Sequence, residues 1–185
     1  MTEREAMFYP ELAKDDSLAL HTDLYEINMM YTYFKKGIAD RNAVFEAFYR
    51  TEPFGNGYAV YAGLEHIIDY LKNLKFKESD LQYLKEQEGY DDDFIDYLRN
   101  LKLKLTIRSM KEGELVFANE PILQVEGPLA QCQLVETAIL NIINFQTLLA
   151  TKPARIRFAV KDDSLMAFGP RRAQETDAAI CGARA

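Results

Sequence analysis

The sequence predicts a mixed α/β protein, with an α+β arrangement over its first 150 residues. Two patterns lead to this prediction. Segments in which apolar residues recur every three or four positions alternate with short segments in which they recur every second position, and turn residues separate them. The chain has 185 residues, 48% hydrophobic and 28% charged, which is enough for one ordinary domain and the beginning of a second.

Composition argues against several classes of protein. A net charge of −7 makes the chain a poor binder of nucleic acid. No apolar run reaches the roughly 18 residues of a membrane span, and the charged N-terminus lacks the apolar core of a signal peptide. Cys132 and Cys181 fit neither a disulfide framework nor a metal motif, and His21 and His66 are too few for a His-rich metal site. We therefore expect a cytoplasmic protein with reduced thiols and with no nucleic-acid or membrane partner.

Residues 1–16 are polar and unpatterned, so a mobile arm is expected there. The first strong helix is predicted over Asp23–Lys36, because Asp23 and Glu26 have the spacing of a capping box and Gly37 suits a C-terminal cap. Its buried stripe is expected to comprise Leu24, Ile27, Tyr31 and Phe34. Tyr25 lies off this stripe, so its large ring must contact something else.

The middle of the chain alternates strands with helices. Strands are predicted at four places, which are residues 43–50, 103–107, 115–117 and 122–125. A turn at Gly55, Asn56 and Gly57 precedes one more short strand. Helices are predicted at three places, which are residues 64–71, Ser79 to about Gln87 with Ser79 and Gln82 as a capping box, and the segment that follows the acidic run 91–93.

The longest helix is predicted over about Leu129–Ala150, with Pro128 at its start. One side of this helix is apolar. The opposite side carries five polar residues, which are Gln133, Glu136, Thr137, Asn144 and Thr147. They could face a binding site or a second subunit, but solvent is the expected surrounding.

After this helix, Leu165–Phe168 is predicted to form a short strand, Gly169 and Pro170 a turn, and a final helix is expected to begin near Arg172. That helix is Ala-rich and reaches the end of the chain without a cap or a polar tail. We therefore expect the chain to be the N-terminal part of a longer protein.

Arg171 and Arg172 would lie at the junction between this strand and this helix. Helix N-termini favour anions, and Arg adds a bidentate fork for phosphate or carboxylate. The alternative is a surface pair that contacts Glu175 or Asp177. Phe168 would stand at the carboxyl end of the strand, where α/β proteins bind ligands, although a core position is the more ordinary role for such a ring.

The remaining candidates favour structural roles. His21 precedes the first helix without a carboxylate in register and is expected to be a hydrogen-bonded loop residue. His66 lies in a charged helical pattern and is expected to be solvated. Cys132, on the longest helix, is expected to pack as a small apolar side chain. The run of residues 55–57 is a weak phosphate loop and a good turn, and the turn is preferred.

Four segments resemble nicotinate phosphoribosyltransferase, and they occur in order along the chain. They are HTDLYEINMMYTYF, AVFEAFYRTEPFGNGYAVYAGLE, EPILQVEGPLAQCQLVETAILNIINFQT and FGPRRAQETDAAICGARA, and the resemblance runs from about Leu18 to Ala185. It implies a transferase of NAD biosynthesis that makes nicotinate mononucleotide from nicotinate and phosphoribosyl pyrophosphate, coupled to ATP hydrolysis. ATP and Mg²⁺ are the implied cofactors, and a homodimer with shared active sites is the implied assembly.

The resemblance also divides the chain. Residues 1–150 would form most of the family's N-terminal α/β domain, and residues 151–185 would begin its irregular TIM-like barrel domain. The catalytic residues are then expected beyond Ala185, and the 185-residue chain alone is expected to be inactive. Two alternatives stay open: the sister reaction with nicotinamide, and a non-catalytic truncated or divergent fragment that only binds a ligand or dimerises.

Four residues match positions with roles in this family and its relatives. Tyr25, in the TDLY motif, resembles a Tyr that stacks on the pyridine ring from across the dimer interface. Phe168 resembles the Phe that covers the other face of the ring. Arg171 resembles an Arg that holds the phosphate or carboxylate of the ligand, and Arg172 is a weaker candidate for phosphate.

Three residues depart from the family pattern close to these positions. Ala167 stands where an acidic residue is usual, Pro170 where Ser or Thr is usual, and Cys181 where Trp is usual. Pro170 removes a hydroxyl group and a backbone donor from the expected anion site. These departures are the reason why a divergent or inactive variant stays open.

Overall fold

The computed structural model describes residues 18–55, 57–166, 168–174 and 176–185, and within them it has the mixed α/β fold that the sequence predicts. The expected arm at residues 1–16 lies outside these ranges, as do Asn56, Ala167 and Glu175. The helices are α1 (Leu24–Lys35), α2 (Leu64–Asn73), α3 (Glu78–Glu86), α4 (Asp92–Arg99), α5 (Leu129–Val160) and α6 (Thr176–Arg184). The strands are β1 (Asn42–Ala47), β2 (Ala59–Val60), β3 (Thr106–Ser109), β4 (Leu115–Val116) and β5 (Leu123–Pro128).

The chain divides into two units, and the smaller one contains Asp69–Leu103 together with the described end of Met1–His21. Here α3 packs against α4. Helix α4 starts at the acidic run, as predicted, and the Asp91 carboxylate caps it by accepting a 3.2 Å hydrogen bond from the Phe94 N–H. The capping box predicted for α3 is wrong, because the Asp80 carboxylate instead accepts the Lys77 N–H at 2.8 Å. This contact starts the helix one residue before Ser79.

The larger unit contains Thr22–Ile68 and Lys104–Ala185, and an antiparallel sheet in the order β1-β5-β3 forms its centre. Gly127 in β5 has no room for a side chain, since an added Cβ would lie 2.6 Å from the Lys104 carbonyl oxygen. Lys104 and Leu105 lie against Gly127 and are outside the ladder. Strand β3 begins at Thr106, later than predicted.

Helix α5 covers this sheet and is ten residues longer than predicted, because it continues through Pro153 to Val160. Solvent was the wrong surrounding for Thr147, which is buried and accepts the Ala62 N–H at 3.3 Å. Thr151 is also buried and accepts the Val60 N–H at 2.9 Å. These hydroxyls attach the β2 segment to α5. The predicted domain boundary near residue 150 falls inside α5 and stays a prediction.

By length and composition, α5 is also the one helix in the described ranges that could cross a membrane. Its most apolar stretch is half buried within the protein, as in the core helix of a globular domain. Buried hydrogen-bonding side chains along it, such as those of Thr147 and Thr151, fit the core position.

The segment after α5 differs from the prediction. Leu165, Met166 and Phe168 are not part of a strand. A single 3-10 turn spans Pro170–Arg172, and the backbone at Ala173 is extended, so the last helix begins at Thr176 rather than near Arg172.

Candidate functional site

Helix α1 buries a carboxylate beside Ile27, which is the one buried member of the predicted apolar stripe. Glu26, Ile27 and Met30 are buried, whereas Leu24 is 48% exposed. The side of α1 that faces α5 is therefore shifted from the predicted one. Apolar spacing alone could not show this shift, because it assumes that a Glu side chain points toward water.

Hydrogen bonds from α5 satisfy the buried Glu26 carboxylate. The side-chain amide of Gln133 donates to it, and the Thr137 hydroxyl, whose single proton is shared with Asp23, lies 3.4 Å from it. The same Gln133 amide donates to Glu136 at 3.2 Å, while its oxygen accepts the Tyr33 hydroxyl at 3.2 Å. Gln133 is thus buried, and both polar groups of its side chain form hydrogen bonds, whereas the sequence analysis expected it to face solvent. Its polar type within an apolar helix was the one signal of this network in the sequence.

Asp23 attaches the start of α1 to α5 and does not form the predicted capping box. Its carboxylate accepts the Thr137 hydroxyl at 3.2 Å, and its N–H donates to the Thr137 oxygen at 3.3 Å. The preceding Thr22 hydroxyl donates to the Leu134 carbonyl oxygen at 3.3 Å. The backbone around Tyr25 is therefore held in place by the contacts of Thr22 and Asp23 before it and of Glu26 after it.

Tyr25 lies at this anchored helix start with half of its surface exposed. A hydrogen bond to the Glu26 carboxylate raises the pKa of Tyr25 to about 12, and partial burial and the charges of Glu26, Glu136 and Asp23 act in the same direction. The hydroxyl therefore stays protonated at neutral pH. The arrangement leaves ring surface of Tyr25 open to solvent, as a stacking role requires.

Three carboxylates lie close together here, those of Asp23, Glu26 and Glu136. Their mutual repulsion affects the pKa of Glu136. Burial and then the charges of Glu26 and Asp23 raise the pKa of the Glu136 carboxyl above its usual range, although the Gln133 amide opposes the shift. A carboxyl group surrounded by like charges holds its proton more tightly.

Phe168, Arg171 and Arg172 lie on the segment between α5 and α6. Phe168 is 70% exposed, and both arginines are exposed. The 3-10 turn is closed by the Arg172 N–H, which donates to the Gly169 carbonyl oxygen at 2.8 Å. Because α6 begins only at Thr176, the arginines do not lie at its N-terminus, and the predicted contribution of a helix dipole is absent from their site.

The described contacts do not bring Tyr25 together with these three residues. Asp23, two residues before Tyr25, contacts Thr137 on α5, whereas α6 contacts α5 at Gln146 and Leu149. Thr137 and Gln146 are nine positions apart on α5, which is roughly 14 Å along the axis. Within the described ranges, no hydrogen bond or ring contact joins Tyr25 to Phe168 or to either arginine.

A third arginine, which the sequence did not single out, attaches α6 to the rest of the larger unit. Arg184 forms ion pairs of 2.6 Å with both Glu65 and Glu112, and it donates to the Gln146 side-chain oxygen at 3.3 Å. Glu112 also accepts the Gly63 N–H at 2.7 Å. Burial acts to raise the pKa of the Glu112 carboxyl, but the bonds from Arg184 and Gly63 outweigh it and hold that pKa below its usual range.

Two clefts flank Leu140 between β1 and α5. One, of about 280 Å³, reaches Val44 and Glu136, and the other, of about 440 Å³, reaches Phe48 and Asn144. The described residues that line these two clefts do not include Tyr25, Phe168, Arg171 or Arg172, the four residues singled out from the sequence. In the same ranges no group of three His, Cys, Asp or Glu side chains is placed to hold a metal ion.

A family model for the nicotinate phosphoribosyltransferase N-terminal domain matches residues 20–144, from just before α1 to the middle of α5. The chain belongs to the nicotinate phosphoribosyltransferase family. The resemblance seen in the sequence motifs is thereby confirmed. The matched region includes Tyr25 and the Glu26 network, and it ends before Phe168 and the two arginines.

Curated members of the nicotinate phosphoribosyltransferase family align with almost the whole chain. The nicotinate phosphoribosyltransferase of Bacillus subtilis is 62% identical over 172 residues, which are 93% of this chain and 35% of that protein. The Caenorhabditis elegans protein of the same name is 42% identical over 165 residues, which are 86% of this chain and 29% of that protein. The chain thus spans about a third of the length of these relatives.

Two solved structures share the fold of this chain. The crystal structure of human nicotinic acid phosphoribosyltransferase superimposes with a TM-score of 0.78 at 35% identity, over 88% of this chain and 34% of that one. A nicotinate-nucleotide pyrophosphorylase from Pyrococcus furiosus gives a TM-score of 0.67 at 22% identity, over 92% of this chain and 38% of that one. The second likeness shows a shared fold.

Proposed function

We propose that this chain is the N-terminal portion of an enzyme that makes nicotinate mononucleotide from nicotinate and phosphoribosyl pyrophosphate, with coupled ATP hydrolysis, in cytoplasmic NAD biosynthesis. The observation that carries the proposal is the 62% identity to the Bacillus subtilis nicotinate phosphoribosyltransferase over 93% of the chain. We further propose that residues 151–185 lead into a barrel-like domain and that residues beyond Ala185 supply the catalytic groups.

Tyr25 is proposed to bind the pyridine ring of nicotinate by stacking. Aromatic stacking adds about 0.5–1.5 kcal/mol beyond the burial of area. The exposed ring at an anchored helix start supports this role, because a fixed ring loses little conformational freedom when a ligand binds. The exposed ring also leaves room for the proposed homodimer, in which Tyr25 would enter the partner's site.

Phe168, Arg171 and Arg172 are proposed to complete the site from the segment between α5 and α6. Phe168 would cover the second face of the ring, Arg171 would bind the phosphate or carboxylate, and Arg172 would contribute to phosphate binding. Their exposure supports a contact with a ligand. In phosphoribosyl transfer, positive charge develops on the ribose carbon as pyrophosphate leaves, so orientation and phosphate stabilisation matter more than a protein nucleophile.

ATP and Mg²⁺ are part of the same proposal for the complete enzyme. Since the described residues provide no cluster of three metal-ligating side chains, we assign no Mg²⁺ ligand to this chain and derive no step through the ion.

The proposal is tested with a chimera in which this chain replaces the aligned third of the Bacillus subtilis enzyme. Nicotinate mononucleotide formation is measured from nicotinate, phosphoribosyl pyrophosphate and ATP, and nicotinamide is assayed in parallel. We expect turnover of nicotinate by the chimera and none by the 185-residue chain alone. Turnover of nicotinamide in place of nicotinate would favour the sister reaction. A folded chimera that turns over neither substrate would overturn the proposal and favour the non-catalytic alternative.

A further inference from the structure

Helix α1 has two sides that are suited to packing, and the structure uses the less apolar one. The side that faces α5 buries Glu26, Ile27 and Met30. The predicted apolar stripe, which begins at Leu24, is centred roughly 75° further round the helix axis, since consecutive helical residues are about 100° apart. Leu24 is 48% exposed as a result. Apolar burial alone would favour the rotation that covers Leu24, so another interaction must favour the observed one.

Gln133 on α5 supplies this interaction. Its amide donates to the buried Glu26 carboxylate, and its oxygen accepts the Tyr33 hydroxyl at 3.2 Å. Glu26 and Tyr33 are seven positions apart, which is about two helical turns, so they lie on the same side of α1. A single side chain thus holds this side of the helix at two points and opposes its rotation.

The contacts of Asp23 with Thr137 have a different effect. Asp23 precedes the first residue of α1 and has an extended backbone, so these contacts determine where the helix begins. Without Gln133, the Glu26 carboxylate would keep the Thr137 hydroxyl, whose proton is shared with Asp23. Rotation of α1 toward the predicted stripe would then return this carboxylate to water and bury Leu24, at the cost of exposing part of Met30.

We propose that Gln133 is a positioning residue for nicotinate binding, because it sets the rotation of α1 and thereby the direction of Tyr25. The proposal rests on the proposed stacking of nicotinate on this ring. An aromatic ring on a helix lies several ångströms from the axis, so rotation to the other packing side would move it away from a bound pyridine. Misplacements of about 1 Å already weaken a positioned contact. Gln133 is itself buried, so it acts through Tyr25.

Gln133→Leu tests the rotation on the 185-residue chain, and the readout is the exposure of Leu24. A neutral gadolinium chelate in solution speeds the relaxation of exposed leucine methyl groups, which NMR measures for each leucine. In the parent, Leu24 should relax about as fast as Leu140, which is 41% exposed on α5. In Gln133→Leu, it should relax as slowly as the buried Leu134. An unchanged Leu24 would overturn the proposal, whatever the activity of the enzyme.

Gln146→Leu is the matched control, because Gln146 is another buried glutamine of α5. Its side chain contacts α2 and α6, through Nδ1 of His66 and the Arg184 guanidinium. His66 is therefore not the solvated residue that its charged helical pattern predicted. We expect Leu24 to stay exposed in Gln146→Leu. Burial of Leu24 in both variants would show a general loosening of the packing and would overturn the specific role of Gln133.

Gln133→Met is the second variant in case Gln133→Leu does not fold, since Met has an unbranched side chain of similar length. The same burial of Leu24 is expected. Failure of both variants to fold would overturn the proposal, because α1 would then have no second rotation for Gln133 to exclude.

The consequence for nicotinate is measured in the chimera with the Bacillus subtilis enzyme. We expect Gln133→Leu to raise the KM for nicotinate about tenfold, through the loss of the stacking contact and its buried area. Adding Leu24→Gln makes the second rotation unfavourable, so the KM should return toward that of the parent while the stability falls further. A merely structural role predicts that the KM follows stability through both variants, and that result would overturn the positioning role.

Failure of this proposal differs from failure of the proposed function. A parent chimera without turnover would contradict the proposed function, and the exposure of Leu24 would still decide whether Gln133 sets the rotation of α1. Burial of Leu24 in Gln133→Leu with an unchanged KM would overturn the positioning role and the stacking role of Tyr25, while the enzyme activity itself would stand.

Discussion

The side-chain amide of Gln133 on α5 donates a hydrogen bond to the carboxylate of Glu26 on α1, which is completely buried. A carboxylate removed from water is costly unless donors replace the lost hydration. The two residues are 107 positions apart in the chain, so this contact connects the start of the family motif around Tyr25 to the central helix.

Replacement of Gln133 by Leu is expected to lower the free energy of unfolding by about 3 kcal/mol, because it leaves a buried carboxylate without its main donor. Urea unfolding of the 185-residue chain measures this change. The double variant Glu26→Leu with Gln133→Leu is the control, and it should recover most of the loss because neither polar group is then buried. A single variant as stable as the parent would show that water reaches Glu26.

Glu136 is expected to make the protein less stable as the pH rises. Its pKa is raised in the folded state, so between the usual value near 4.5 and the higher folded value the unfolded chain binds fewer protons. The stability contributed by protonated Glu136 is thus present below pH 4.5 and is lost above it. Glu136→Gln should therefore gain stability over the parent between pH 4.5 and 7, as measured by urea unfolding at both pH values.

Glu112 should show the opposite sign and serves as the control for that experiment. Its pKa is lowered in the folded state, so its contribution to stability is present above pH 4.5 and is lost as the pH falls through the lower folded value. Glu112→Gln should be less stable than the parent at pH 7, and the difference should shrink in acid. The same pH trend in both variants would contradict the assignment of the two environments.

Pro153 is expected to weaken α5 from within. Proline has no N–H for the carbonyl oxygen of Leu149, four residues earlier, and in a helix interior it costs about 3 kcal/mol relative to Ala. Pro153→Ala should raise the free energy of unfolding by about 1–3 kcal/mol, because the missing hydrogen bond is restored. The gain is smaller than the full helix penalty because the unfolded chain with Ala has more conformational entropy to lose. The exposed neighbour Lys152 gives the control, since Lys152→Ala should change stability by less than about 0.5 kcal/mol. A Pro153→Ala variant no more stable than its parent would mean that the helix has already adapted to the ring.

Tyr25 is expected to contribute its ring more than its hydroxyl to the proposed reaction. In the chimera with the Bacillus subtilis enzyme, Tyr25→Phe should keep most activity, whereas Tyr25→Ala should raise the KM for nicotinate strongly with little loss of stability, because half of the side chain is exposed.

If the ring crosses a dimer interface, mixing Tyr25→Ala with Arg171→Ala subunits should restore about a quarter of the parent activity. About half of randomly paired dimers are mixed, and each has at most one intact site of two.

Subunit exchange is verified independently in that mixing experiment. Zero recovery with verified exchange would mean that Tyr25 acts within its own chain or only packs. A loss of activity in Tyr25→Phe as large as that in Tyr25→Ala would assign the role to the hydroxyl and its bond to Glu26.

The sequence by itself determined the features that depend on near neighbours. The Asp91 cap of α4 and the left-handed Gly37 after α1 involve contacts within a few residues, which a local pattern displays. The family motifs are equally local, so the residues alone were enough to indicate membership. The long alternation of helices and strands indicated the fold class for the same reason.

Only the tertiary structure decided which polar side chains are buried. Glu26, Gln133 and Thr147 each have a partner at least 85 residues away, and their burial is stable because those partners exist. The structure also continues α5 through Pro153 to Val160 against local propensity, although the last buried residue of the helix is Thr151. The spacing of residue types in the sequence indicates whether a side chain prefers solvent or an apolar interior. The folded structure supplies hydrogen-bond donors and acceptors that allow a polar side chain to be buried against that preference.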